Sequence, residues 1–126
     1  MVSVTHSLSD AEPDETRFAL AAQGLDDAER VRLQDAWNFA RAAYGQRLLG
    51  TGEPAFPHAV AMAVMLAGLD IDPDTRIAAL LFDVPDDLGD WREAVGEGFG
   101  KAVEYLVGGL HKLAPLRLLI QANSVG

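Results

Sequence analysis

The residue whose setting most demands a chemical explanation is Asp83, which follows Leu80, Leu81 and Phe82 and precedes Val84. A carboxylate in such a run costs several kcal/mol or shifts its pKa unless a partner, a metal or a water-filled cavity receives it. Two more acids, Asp86 and Asp87, come directly after Pro85, so an apolar segment ends in a cluster of carboxylates. His58 stands at the head of a second apolar stripe. Each of these residues also has a plain structural reading. Asp83 can be satisfied by backbone amides or by Arg76 or Arg92, and Asp86 and Asp87 can be solvated loop acids or helix caps. A lone histidine near a helix start is usually structural, Asp90 is most simply a cap, and His6 and His111 carry no signal of their own.

The elements that must position these residues are all helical. Asp72 suits an N-cap and Pro73 the first helical position, and the run from Ile77 to Val84 is apolar almost all round, as in a buried helix that Pro85 then ends. Upstream, Leu33, Ala36, Trp37, Ala40 and Tyr44 recur at spacings of three and four, so a long helix starting near Asp26 turns one face inward. Gly50, Gly52 and Pro54 make residues 50–54 a turn. A helix from Pro57 follows, with His58, Ala61, Met62, Met65, Leu66 and Leu69 as its expected inward face and the methionines as core. Asp90 to Glu93 resembles a capping box opening another helix, and a final pair is expected over residues 100–110 and 113–122. Residues 15–23 can form a short helix ending at Gly24. No alternating strand pattern of convincing length is present. The expected organisation is all-α: an acidic, mobile arm over residues 1–25 carrying that short helix, then one helical domain over residues 26–126.

Composition narrows the function classes. The chain has 126 residues, 49% of them hydrophobic, no cysteine and a formal charge of −9. Nonspecific nucleic-acid binding and anionic-membrane binding both need clustered Lys and Arg, which are missing. Disulfides and thiolate metal sites are excluded, and the want of cysteine points toward the cytosol. No signal-peptide pattern opens the chain, and no apolar run reaches the ~18 residues of a membrane span. A soluble, cytoplasmic protein is expected.

Five stretches in order then carry a resemblance. They are Thr51-Gly52-Glu53-Pro54-Ala55-Phe56-Pro57-His58, Asp72-Pro73-Asp74-Thr75, Ala78-Ala79-Leu80-Leu81-Phe82-Asp83, Phe99-Gly100-Lys101-Ala102-Val103 and Leu106-Val107-Gly108-Gly109-Leu110-His111-Lys112-Leu113. Together they resemble the N-terminal hydrolase domain of the RelA/SpoT family, whose pattern reads SGEPYxxHP, DxxT, AALLHDVVEDT, FGxxV and LVDGVTKL. The resemblance implies a helical domain of the HD phosphohydrolase superfamily, which in active members removes pyrophosphate from the 3′ position of (p)ppGpp. Those members use manganese held by a His, a His-Asp pair and a distant Asp. Imidazole and carboxylate suit such a metal, which polarises the phosphate and activates water.

Carried over, the first ligand is His58 and the Asp of the pair is Asp83, but the His of the pair is Phe82, which has no lone pair to offer. The acidic pair of active members falls on Asp86 and Asp87. The guanine-contacting Arg falls on Leu49, with Arg47 the nearest substitute. The distant Asp is not reached before Gly126, so the domain is expected to be C-terminally incomplete and part of a longer protein. His58 and Asp83 thus read as vestigial metal positions, Asp86 and Asp87 as vestigial catalytic ones, and no cofactor is expected. The resemblance is nearest to RelA-type synthetases, which make (p)ppGpp from ATP and GTP or GDP. It implies an inactive module that regulates the synthetase domain of its own polypeptide, with a guanine nucleotide as a further candidate partner. The alternatives are a residual manganese-dependent (p)ppGpp hydrolase and an unrelated helical interaction module.

Overall fold

The computed structural model describes residues 14–112, and every element in that span is helical apart from one isolated backbone bridge. In chain order these are α1 (Asp14–Ala21), α2 (Asp27–Tyr44), α3 (Ala55–Gly68), α4 (Pro73–Leu80), a 3₁₀ turn (Val84–Asp86), α5 (Trp91–Phe99) and α6 (Lys101–Lys112). The helix expected over residues 113–122, and His6, lie outside the described residues.

Local chemistry accounts for the helix starts. Asp26 has extended backbone (φ −80°, ψ 178°), accepts from the Glu29 amide at 2.8 Å, and receives the Glu29 side chain on its own amide at 3.0 Å, a complete capping box. Asp72 is also extended (φ −61°, ψ 158°) and accepts from both the Thr75 amide and the Thr75 hydroxyl, with Pro73 in the first turn as expected. Asp90 departs from expectation. It precedes α5, yet its side chain makes no capping hydrogen bond. Its backbone lies at φ −102°, ψ 32°, and without extended geometry the carboxylate is not aimed at the free amides of the first turn.

The inward face of α2 is the one the spacing predicts: Leu33, Ala36, Trp37, Ala40 and Tyr44 are its buried residues. For α3 the predicted face is wrong. The helix begins two residues early, and its buried residues are Ala55, Ala59, Val60, Ala63 and Ala67, while Met65 and Leu69 are 66% and 67% exposed. Apart from His58 the helix is uncharged right round, so periodicity gave no direction. The packing instead turns its alanines inward, where small side chains let helix axes approach closely.

α4 is the centre of the domain, packed on α2, α3 and α6, and Arg76 to Leu80 are all buried. The one charged member of that run, Arg76, is 1% exposed and clamps α1 onto α4. Its Nε donates to the Ile71 carbonyl at 2.8 Å, and its Nη1 donates to the carbonyls of Ala21 (3.0 Å) and Gln23 (2.8 Å) just beyond α1. Those carbonyls belong to a helix end that has no intrahelical donor for them. Edge-to-face contacts of Trp37 with Phe18 and Phe56 tie α1, α2 and α3 together. Arg32 joins α2 to Asp74 in α4 and to the Phe99 carbonyl that ends α5.

Candidate functional site

The segment bearing Phe82 and Asp83 is not the continuous helix that the apolar run suggests. α4 stops at Leu80, and Leu81 and Asp83 both sit with ψ near 0°. From there the hydrogen bonds tighten: the Val84 amide donates to Leu81, Asp86 to Asp83 and Asp87 to Val84. Pro85 contributes to the change, because it has no amide to donate to an α-helical bond with the Leu81 carbonyl, which the Val84 amide takes instead. The resulting turn leaves Phe82 (5% exposed) and Val84 (0%) buried while Asp83 is only half-buried. Rotation of the chain out of the helix thus removes much of the burial that the sequence implied for Asp83.

Tyr44, at the end of α2, holds this turn. Its hydroxyl donates to the Leu80 carbonyl at 2.6 Å and accepts from the Asp83 amide at 3.0 Å, satisfying two groups freed by the end of α4. Burial, above all, pushes the phenol well above its usual range, outweighing the Asp83 amide bond that lowers it. It therefore stays protonated and serves as a fixed donor. The sequence offered one clue to this role: a tyrosine closing a buried stripe must find a partner for its hydroxyl.

Arg47 is placed by the short loop that follows. The Arg47 amide donates to Tyr44, the Ala55 amide donates back to the Arg47 carbonyl, and Leu49 and Glu53 pair inside that ring, with Gly52 (φ 93°) supplying the left-handed residue. Residues 50–54 thus form the expected turn. The Arg47 guanidinium reaches across to the carboxylate cluster, where its Nε lies 2.8 Å from Asp87 Oδ1 and 2.9 Å from Oδ2, and its Nη2 donates to the Asp83 carbonyl at 3.4 Å. Leu49, two residues on, packs against the core.

The remaining candidates are distributed around this centre. His58 is in the first turn of α3 with Nδ1 3.6 Å from Glu53 Oε1. Asp86 is exposed and lies 3.8 Å from Nε2 of His111 at the end of α6. The arginines considered as partners for Asp83 have other roles: Arg76 clamps α1, and Arg92 stacks on Trp91 and approaches Glu104 at 3.7 Å. The structure therefore joins Tyr44, Arg47, Asp83 and Asp87 in one network, and pairs Asp86 with His111 and His58 with Glu53.

Among the described residues, no three His, Cys, Asp or Glu side chains converge as metal ligands. The donor set does not fit a four-ligand manganese centre. The position beside Asp83 is a buried phenyl ring, and the Asp87 carboxylate is already bonded by an arginine.

A family profile described as HD domain matches residues 36–124. The chain belongs to the HD-domain family. Its relatives are RelA/SpoT-type proteins. The bifunctional (p)ppGpp synthase/hydrolase SpoT of Escherichia coli (strain K12) is 40% identical over 93 residues, 74% of this chain and 13% of that protein. The guanosine-3′,5′-bis(diphosphate) 3′-pyrophosphohydrolase of Aquifex aeolicus is 38% identical over 85 residues, 68% of this chain and 12% of its own length. The probable GTP pyrophosphokinase of Mycobacterium leprae is 40% identical over 81 residues, 64% of this chain and 10% of its own. The matched part is thus a small fraction of each relative. The reading as a helical module unrelated to these proteins is overturned by the family match. The stretch that the resemblance set against the family's paired motif reads Phe82-Asp83 in this chain. Among the described residues no helix is long and apolar enough to cross a membrane.

Proposed function

We propose that this HD domain is a catalytically inactive (p)ppGpp hydrolase-like module of a RelA-type GTP pyrophosphokinase, acting in the cytoplasm in the stringent response and regulating a synthetase domain of the same polypeptide. The observation that carries the reading is Phe82, a buried ring at the position of an expected metal-binding imidazole. With that ligand gone, His58 and Asp83 supply too few donors for the affinity or geometry a divalent metal needs. A domain that keeps its fold while losing its chemistry can still act by packing against a neighbour and biasing its conformation. The relatives named as 3′-pyrophosphohydrolases favour a second reading, a residual manganese-dependent hydrolase. Incubation with labelled ppGpp and manganese separates the two. The inactive reading expects pyrophosphate release no greater than in a metal-only blank, and release well above that blank would overturn it. Regulation in cis is tested by joining the domain to its native downstream sequence and comparing synthesis with and without residues 1–126.

A further inference from the structure

We infer that the outward face of α3 is a docking surface for the chain's own apolar C-terminal segment, residues 113–126. This surface lies outside the network of Tyr44, Arg47 and Asp87, and its role does not depend on whether the domain hydrolyses ppGpp.

In a chain of formal charge −9, α3 holds no Asp, Glu, Lys or Arg. Pro57, Ala61, Met65 and Leu69 recur every four residues and are exposed, Met65 by 66% and Leu69 by 67%, with Met62 and Leu66 half-buried beside them. The alanines that α3 buries, Ala55, Ala59, Ala63 and Ala67, are offset from them by two positions, about 200° of rotation. One side of the helix is therefore packed, and the other is uncovered among the described residues. Scattered exposed apolar residues are ordinary, but an uncharged stripe along a whole helix marks a contact surface.

Composition, reach and area together select the occupant. Residues 113–126 carry Leu113, Leu116, Leu118, Leu119 and Ile120 and a single charge, Arg117, so they suit an uncharged apolar face. They continue from α6, and α6 and α3 both pack on α4. Packed helix axes lie 8–10 Å apart, which brings α3 within about 20 Å of α6. Fourteen residues of chain can extend to about 45–50 Å, more than the span requires. A second copy of the chain is the weaker occupant. A face as long as α3, roughly 21 Å by 10 Å, is about a quarter of the ~800 Å² that each partner buries in a stable complex. A tethered segment needs less, because it is spared the translational entropy of association and acts at a high effective concentration.

The chain has no cysteine, so a single introduced thiol reports on the face. Met65→Cys is alkylated with iodoacetamide in the full chain, beside Val31→Cys on α2 as a reference, whose native residue is 61% exposed. The Met65→Cys thiol should react about tenfold more slowly than the reference, as a site reached only through local opening does. Adding Leu116→Asp and Leu119→Asp should restore its rate and leave the Val31→Cys rate unchanged. Equal rates for the two thiols would overturn the inference, and so would slow alkylation that survives the two aspartates. Slow alkylation that appears only as protein concentration rises would overturn it in favour of a second copy. Should the aspartates unfold the chain, a nitroxide attached to Met65→Cys takes their place. It should broaden the amide signals of residues 113–126, and unbroadened signals there would also overturn the inference.

Discussion

Replacing Arg76 by methionine should be the most damaging single change among the polar contacts described. The side chain is 1% exposed and makes three hydrogen bonds of 2.8 to 3.0 Å to carbonyls. Bonds to a charged donor contribute roughly 1.5–3 kcal/mol each, so the gross loss is about 5–9 kcal/mol. Two effects offset it. Methionine no longer buries a charge, which returns several kcal/mol, and the bonds to Ile71 and Gln23 are only partly buried, so water can replace them. The Ala21 bond is fully buried, and its carbonyl keeps a penalty of about 1–3 kcal/mol for a lost partner. The net cost should be about 2–4 kcal/mol. For a domain of this size that lowers Tm by about 10–25 °C, read by far-UV circular dichroism at neutral pH. Arg76→Lys should fall between, because a single ammonium cannot bridge the same carbonyls. A methionine variant melting within about 3 °C of wild type would refute the argument that these carbonyls depend on Arg76.

Phe82→His should lower stability by about 1–3 kcal/mol, since it places a smaller polar ring in a buried site, and should not restore pyrophosphate release from ppGpp with manganese. Tyr44→Phe leaves the Asp83 amide and the Leu80 carbonyl without their shared partner and should cost about 1–3 kcal/mol in urea unfolding. The three cap positions should separate: Asp26→Ala and Asp72→Ala each cost about 1 kcal/mol, while Asp90→Ala stays within about 0.5 kcal/mol of wild type. For Asp72, the bond from the Thr75 hydroxyl, the largest cause, holds the carboxyl below its ordinary value. Its contribution is therefore complete above the unfolded pKa and is lost as pH falls through the folded one. The stability gap between wild type and Asp72→Asn should close on acidification, and a gap that widens toward acid would contradict that sign.

The family and the helical class were legible in the residues because both depend on local pattern. The α2 face could be read from spacing, since polar residues alternate with its apolar ones and leave only one side able to face the core. The caps at Asp26 and Asp72 were legible for a similar reason, as a cap acts within a single turn. That a phenylalanine precedes Asp83 in the stretch resembling the family's paired motif needs no structure to be noticed. What tertiary structure decided is everything that depends on direction in space. α3 is apolar all round, so only its packing against α1 and α4 could select the alanine face and leave Met65 and Leu69 outside. The end of α4 at Leu80 turned Asp83 partly out of the core, and that depends on how Tyr44, 39 residues earlier, captures the freed amide. Arg47 and Asp87 are separated by 40 residues of chain, and no spacing rule links them. They meet because the loop after α2 and the turn after α4 are brought to the same place by helices packed in between. Sequence pattern reports the periodicity of one element, whereas a site assembled from three elements exists only once their packing has set the angles between them.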